Sequence, residues 1–186
     1  MNPSVSELLK AIESVPADKV ILLPNNKNII LTATQALSLT SKKVKVVPTR
    51  SIPQGVAALL AFDFELDVEA NAEAMEEAAS RVKTVEITKA IRTTQVGGLK
   101  IRKGQAIGLL DDELVAAGDS IVQVLTDSLA KAGIEQAEVV TIYYGADIQP
   151  AEAEEIAAKI RRGYPYLQVE VVHGGQPHYN YIVSLE

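Results

Sequence analysis

Residues 20–51, VILLPNNKNIILTATQALSLTSKKVKVVPTRS, decide the fold of the first part of the chain. A continuous apolar run stands at residues 20–23, as is typical of a strand covered on both faces, and residues 44–47 (VKVV) predict a second strand. Between them, a segment that begins near Ile29 carries its apolar residues at helical spacing. Two strands joined through a helix favour a parallel pair with a right-handed crossover.

The flanks of this stretch extend the same pattern. Ser4 and Glu7 have the spacing of a capping box, and they predict a helix that ends near Pro16. Pro53 suits the first turn of a further helix. The order helix, strand, helix, strand, helix therefore predicts a parallel α/β lobe over residues 1–66.

Residues 67–186 follow a different pattern and predict an α+β lobe with a mixed sheet. An Ala- and Glu-rich stretch at residues 69–82 indicates a solvated helix, and residues 85–110 alternate as a β-meander with a hairpin turn at residues 95–98. Asp119 is a candidate cap for a helix that ends at Gly133. Further segments predict a strand at 139–144, a helix at 150–162, and strands at 167–172 and 179–185. The formal charge also changes, from +2 over residues 1–66 to −8 over residues 67–186.

Composition excludes several classes of protein. Of the 186 residues 47% are hydrophobic, which is enough for a core, and there is no cysteine, which excludes disulfides and thiolate chemistry. The net charge of −6 disfavours a nucleic-acid-binding protein. No apolar run approaches the ~20 residues that a membrane span needs. We therefore expect a cytoplasmic protein without a membrane span.

Polar side chains cluster where the two strands of the first lobe end. In parallel α/β sheets, ligands and partners meet the loops after the strand C-termini. Each loop carries one cation and precedes a helix N-terminus with unpaired N–H groups, so the loops suit an anion or a partner's carboxylates. Ordinary turn and capping chemistry is the competing interpretation. The two loops contain Asn25, Asn26, Lys27, Thr49, Arg50 and Ser51.

Two acidic or histidine-containing segments raise the question of a metal. Residues 111–113 form an acidic cluster that could hold magnesium, but carboxylates at a helix start are also ordinary dipole partners. His173 and His178 share one loop, and zinc would need a further ligand such as Asp147. We expect no metal at either place. No phosphate-binding loop, dinucleotide-binding motif or nucleophile elbow is present in the sequence.

Three stretches carry a resemblance to a known family. They are residues 1–4 (MNPS), residues 23–26 (LPNN) through 47–62 (VPTRSIPQGVAALLAF), and residues 174–177 (GGQP) with Tyr181 and Ile182. They resemble the C-terminal domain of the bacterial fatty-acid kinase A subunit, the DAK2-domain, dihydroxyacetone-kinase-like or "Dak phosphatase" family. The resemblance implies a two-lobed DegV-like fold. It also implies a fragment of a longer kinase polypeptide, with Met1 an internal methionine.

The resemblance further implies a non-catalytic domain. ATP and magnesium would belong to an upstream kinase domain, and this chain would bind no cofactor. Its partners would be the upstream domains of the same polypeptide and the acyl-carrying, DegV-like B subunit. The predicted contact residues are Asn25, Asn26, Lys27, Thr49, Arg50, Ser51, Gln54, Gly174, Gly175, Gln176 and His178.

Three alternatives stay open. The chain could be a lipid- or fatty-acid-binding module in its own right. It could be an enzyme acting on a small phosphorylated or keto substrate, although no nucleophile and base stand together in the sequence. The Ala-rich helices also allow close packing with a second copy, which would make the chain a homodimer.

Overall fold

The structure, a computed structural model, describes residues 2–96 and 98–186. Contacts divide the chain into two units, Met1–Val82 (unit 1) and Lys83–Glu186 (unit 2). Unit 1 contains α1 (Val5–Ser14), β1 (Lys19–Leu22), α2 (Lys27–Leu37), β2 (Lys43–Val46), α3 (Ile52–Leu60) and α4 (Val68–Arg81).

The two strands of unit 1 are parallel, with Val20 opposite Val44, as the sequence predicts. One apolar cluster joins α1, α2 and Leu22, and a second joins α3, α4 and Ile21. Neighbouring strand residues enter different clusters because successive side chains of a strand point to opposite faces. Helices therefore cover both faces of the strand pair.

Helix α4 belongs to unit 1, so the division falls after Val82 rather than after residue 66. Met75 and Ala79 are buried in the same cluster as Val47 and Ala58. The prediction of a solvated helix at residues 69–82 is therefore wrong for one face. The Ala- and Glu-rich composition conceals this narrow apolar stripe.

The capping box at the start of α1 is confirmed. The Glu7 N–H donates to Ser4 Oγ at 3.3 Å, and the Ser4 N–H donates to Glu7 Oε2 at 2.8 Å. Met1 precedes this cap and lies outside the described residues.

Three carboxyl groups of unit 1 make its stability depend on pH. A hydrogen bond from the Ser4 backbone N–H lowers the pKa of Glu7. A hydrogen bond from the Ala70 N–H lowers the pKa of Asp67, and one from the Lys43 ammonium lowers the pKa of Glu69. A lowered folded-state pKa adds stability that is complete above the ordinary pKa and disappears as the pH falls through the folded value.

We therefore expect unit 1 to lose thermal stability as the pH is lowered from about 5 to about 3. An NMR titration should show these three carboxyl groups ionising below their ordinary values of 4.5, 3.8 and 4.5. Titration at the ordinary values would contradict the three hydrogen bonds.

Unit 2 is built on one mixed sheet. Its elements are β3 (Lys83–Lys89), β4 (Thr94–Val96), β5 (Leu99–Ile101), β6 (Ala106–Leu110), β7 (Glu113–Gly118), α5 (Ile121–Ala132), a 3₁₀ turn (Ile134–Gln136), β8 (Val139–Tyr144), α6 (Pro150–Gly163), β9 (Gln168–His173) and β10 (Tyr179–Leu185). The strand order is β7-β6-β3-β10-β8-β9, and β4 and β5 form a separate hairpin. Only the β8–β9 pair of this six-stranded sheet is parallel.

The core of unit 2 lies between the sheet and the two helices α5 and α6. Val85, Ile142 and Val183 are fully buried and pack with Leu125 of α5 and Ala157 of α6. Gly133 ends α5 in the left-handed conformation, with φ +77°, as predicted. The predicted α+β lobe with a mixed sheet is confirmed.

The acidic segment at residues 111–113 corrects the sequence interpretation. Asp111 and Asp112 have φ of +48° and +73° and form the turn between β6 and β7. Successive left-handed residues suit a two-residue hairpin turn, and aspartate tolerates them better than most residues. The segment is therefore not a helix start, and the strand β7 that follows it was not predicted.

Two further details of this region differ from expectation or fall outside the structure. Ser120, not Asp119, caps α5, because its Oγ accepts from the Gln123 N–H at 3.3 Å. The Asp119 carboxylate instead pairs with Arg102 Nη2 at 2.8 and 2.9 Å. The predicted hairpin turn includes Gly97, which lies outside the described residues.

Candidate functional site

The two strand-end loops of unit 1 are joined through Asn25 and Thr49. The Asn25 N–H donates to Thr49 Oγ1 at 3.0 Å, and the Thr49 hydroxyl donates to Asn25 Oδ1 at 2.8 Å. Thr49 is fully buried, and Asn25 adopts a left-handed φ of +53°. The reciprocal pair fixes one loop against the other.

The first turn of α3 packs closely over this pair. A Cβ atom on Gly55 would lie 2.1 Å from Asn25 Oδ1, so the carboxamide occupies the space that any larger residue would need. The Gly55 N–H donates to Ser51 O at 3.1 Å and begins the helix. The absence of a side chain at Gly55 thus allows α3 to approach the strand-end loops.

The polar groups at the start of α3 are engaged in local hydrogen bonds. Ser51 Oγ accepts from the Gln54 N–H at 3.3 Å and caps the helix. The Gln54 Oε1 accepts from the Arg50 N–H at 2.8 Å, and its Nε2 donates to Val82 O at 3.4 Å. Gln54 therefore links the loop to the end of α4.

Of the predicted contact residues in unit 1, the two cations are exposed. Asn26 caps α2 by accepting from the Asn28 N–H at 2.9 Å. Lys27 and Arg50 stand exposed at the N-terminal ends of α2 and α3. The structure therefore brings the two loops together, as expected, but uses most of their polar side chains for turns and caps.

Unit 1 exposes a set of apolar side chains on one helix, and sequence reasoning missed it. We call Ile52, Val56, Leu59 and Leu60 the α3 apolar face; 53%, 37%, 62% and 80% of these side chains are exposed. Contiguous exposed apolar residues mark interaction sites more often than isolated ones do. The sequence did contain a signal, since no polar residue follows Gln54 in this helix and it therefore lacks the polar face that a surface helix ordinarily turns to water.

The predicted loop of unit 2 is held by the end of β8. The N–H groups of Gly174 and Gly175 donate to Tyr144 O at 3.0 and 3.2 Å, and Gln176 Nε2 donates to Tyr143 O at 3.0 Å. Gly175 has a φ of +65°, which glycine adopts without strain. The loop is thus a fixed turn rather than a mobile segment.

The histidines of this loop are exposed on either side of the glycines. The His173 ring lies 5.0 Å from the Tyr144 ring, centroid to centroid. His178 O accepts from Thr88 Oγ1 at 2.6 Å, which ties the loop to β3. Burial raises the pKa values of the nearby phenols Tyr143 and Tyr179 above their ordinary value.

The ligands that a metal would need are not assembled at either of the two segments considered above. Among residues 2–96 and 98–186, no three His, Asp or Glu side chains stand close enough to hold an ion. Residues 111–112 form a hairpin turn, and the histidine loop is a turn held by the Tyr144 carbonyl.

Comparison with known proteins gives one family over the whole chain. A family model for the C-terminal domain of fatty acid kinase A-like subunits matches residues 1–186. The Bacillus subtilis protein YloV is 39% identical over 186 residues, and an uncharacterized Staphylococcus aureus protein is 36% identical over the same length. Each alignment covers 100% of this chain and 34% of the relative, so the chain spans about a third of these proteins.

Solved structures give the same fold at low sequence identity. The Streptococcus pneumoniae fatty acid kinase B3 protein loaded with linoleic acid matches with a TM-score of 0.71 and 16% identity, covering 99% of this chain and 76% of that one. A fatty-acid-binding DegV family protein from Thermus thermophilus matches with a TM-score of 0.67 and 13% identity, covering 100% and 78%. Dihydroxyacetone kinase from C. freundii matches with a TM-score of 0.63 and 15% identity, covering 98% and 42%. The likeness confirms the predicted DegV-like α/β fold.

The helices were also compared with what a membrane span needs. No helix within the described ranges 2–96 and 98–186 has both the length and the apolar character that a bilayer crossing requires.

Proposed function

Because the chain belongs to the family of fatty acid kinase A-like C-terminal domains, we propose that it is a docking domain of a longer kinase polypeptide. It binds a DegV-like B subunit that carries a fatty acid. It holds this subunit so that a kinase domain elsewhere in the same polypeptide can phosphorylate the fatty-acid carboxylate. ATP and magnesium bind that kinase domain, and this chain contributes neither a cofactor site nor a catalytic group.

The α3 apolar face is the observation that carries the proposal. It joins the exposed Arg50 at the N-terminal end of the helix, so an apolar strip is continuous with a cationic end. Apolar contact supplies most of the free energy of association, and charged groups at the margin set orientation and association rate. This combination suits a protein surface with an apolar centre and an acidic margin.

The hydrogen bonds that fix the two strand-end loops of unit 1 support a positioning role. The Asn25–Thr49 pair and the Gln54 link join the start of α3 to β1, β2 and α4 of unit 1. A surface on so constrained a helix presents its contacts in one geometry and loses little entropy on binding. Holding two reacting groups in one geometry is what acyl phosphate formation requires.

Replacing Leu60 with aspartate tests the docking proposal. Leu60 is 80% exposed, so the substitution leaves the core intact, and we expect at least a tenfold loss of affinity for the cognate lipid-loaded DegV-like protein in calorimetry, about that of a hot-spot residue. Leu31→Asp is the matched control, because Leu31 is 70% exposed on α2 of the same unit. Equal losses in both variants, or undetectable binding by the unaltered chain at about 50 µM, would overturn the proposal.

A second candidate function is that of a lipid-binding module, and one cavity favours it. A space of about 440 Å³ in unit 1 is lined mainly by apolar side chains, among them Val20, Leu59 and Met75, with Lys19 at its wall. This volume lies within the range of small-molecule sites. Native mass spectrometry distinguishes the candidates, because a bound fatty acid would appear as a mass adduct on the purified chain.

A further inference from the structure

The loop between α3 and α4 exposes an aromatic side chain almost completely. Phe64 is 94% exposed, and its ring meets the Phe62 ring edge-on at a centroid distance of 5.0 Å. Leu66, two residues later, is 46% exposed. We call residues 63–67 the acidic-aromatic loop, after its sequence DFELD.

A buried asparagine holds this loop in one conformation. Asn71 is only 2% exposed, and its Oδ1 accepts from the Asp63 N–H at 2.8 Å. Its amide nitrogen lies 2.8, 3.2 and 3.1 Å from the carbonyl oxygens of Asp63, Leu66 and Asp67. One side chain therefore organises both ends of the loop.

The carboxylates at the ends of the loop fix it further. Asp63 Oδ1 accepts from the Glu65 N–H at 2.8 Å, and Asp67 Oδ1 caps α4 by accepting from the Ala70 N–H at 2.8 Å. The exposed phenyl ring contributes little to the isolated fold beyond its edge-on contact with Phe62, since water surrounds most of it. Fixing it in advance lowers the entropy cost of binding, and buried aromatic anchors dominate the energy of interfaces.

The charges around the ring define the surface that can receive it. Asp63, Glu65 and Asp67 alternate with Phe64 and Leu66 along the loop, so each apolar residue has a carboxylate on either side of it in the sequence. One oxygen of Asp63 and one of Asp67 accept backbone N–H groups, and Glu65 is exposed. Burying these carboxylates against an apolar or acidic surface would cost desolvation free energy without compensation. The complementary surface has an apolar floor and a rim of lysine or arginine.

We propose that the acidic-aromatic loop is an anchor that inserts Phe64 into a basic-rimmed apolar pocket of the DegV-like partner. This inference rests on the proposed docking function and names a second contact within it. Glu65 pairs with the basic rim, and Asn71 is a positioning residue that keeps the loop ready to bind.

Calorimetry with the cognate lipid-loaded DegV-like protein, at about 50 mM and about 300 mM salt, tests the anchor. We expect Phe64→Ala to weaken binding about tenfold or more at both salt concentrations. Glu65→Lys should weaken binding severalfold at low salt and less at high salt, because salt screens the lost attraction. Matched controls are Leu39→Ala, 60% exposed in unit 1, and Glu76→Lys on the exposed surface of α4.

The outcomes separate the anchor from the docking function. Wild-type affinity in Phe64→Ala and Glu65→Lys, together with loss in Leu60→Asp, would overturn the anchor and leave docking in place. Undetectable binding by the unaltered chain would overturn both. Self-association in sedimentation that disappears in Phe64→Ala would assign the loop to a second copy and overturn the separate partner.

Discussion

Replacing Gly145 with alanine should destabilise unit 2 by about 3 kcal/mol, the upper end of overpacking costs. A Cβ atom at this position would lie 2.2 Å from Tyr179 O and 2.9 Å from Gln176 O. Both are backbone atoms, and neither can rotate away as a side chain would. The backbone around residues 176–179 must shift, which disturbs the start of β10.

The hydrogen bonds at this point show what the shift would break. The Gly145 N–H donates to Asn180 O at 2.9 Å, and the Ala146 N–H donates to Gln176 O at 3.1 Å. Thermal unfolding should show a decrease in Tm of roughly 10–20 °C for a unit of this size. Gly163→Ala is the control, because its added Cβ would meet no described atom within 4 Å apart from its chain neighbours and the backbone of its own helix. Equal Tm values for the two variants would contradict the close backbone approach.

Replacing Gly55 with alanine should destabilise unit 1 by about 1–3 kcal/mol, for a different reason. Here the added Cβ meets the Asn25 side chain, at 2.1 Å from its Oδ1. That carboxamide can move only if its hydrogen bond from the hydroxyl of the fully buried Thr49 breaks. The cost is therefore that of a broken buried hydrogen bond in addition to the steric strain.

A double-mutant cycle with Asn25→Gly isolates this effect. Glycine suits the left-handed φ at position 25 and removes the carboxamide that the new Cβ would meet. Gly55→Ala should therefore cost much less in the Asn25→Gly background than alone, so that the double mutant loses less free energy of unfolding than the sum of the two single mutants. Strict additivity would show that the Asn25 side chain is not what excludes a larger residue at position 55.

Local patterns predicted most of the elements because those elements depend on local chemistry. The Ser4 and Glu7 capping box, the apolar strand runs and the Gly133 stop each involve residues within a few positions of one another. Strand β7 escaped prediction because consecutive aspartates at residues 111 and 112 are typical of helix starts as well as turns. The left-handed φ values of the two aspartates distinguish a turn from a helix start, and these values are set by the strands β6 and β7 that the aspartates connect.

The candidate site was predictable in position and less so in its exposed chemistry. The parallel strand order correctly placed Asn25 beside Thr49, although they are 24 residues apart. Sequence reasoning could not tell that these side chains would bond to each other. The exposure of Leu60 depends on how many faces of α3 the unit can cover, and the exposure of Phe64 depends on how Asn71 holds the following loop; both are tertiary properties. The contact role of the predicted loop residues, including Gly174, Gln176 and His178, stays a prediction.

The position of β10 has a consequence for how unit 2 is made. This strand, the last of the unit in sequence, lies between β3 and β8 in the middle of the sheet. While the ribosome is still adding residues before Tyr179, the meander and the β8–β9 pair have no strand to join them, and each exposes an open edge. The sheet of unit 2 therefore stays incomplete until its final segment is available, and the pairing of β10 with β3, which are far apart in the sequence, slows this last step of folding.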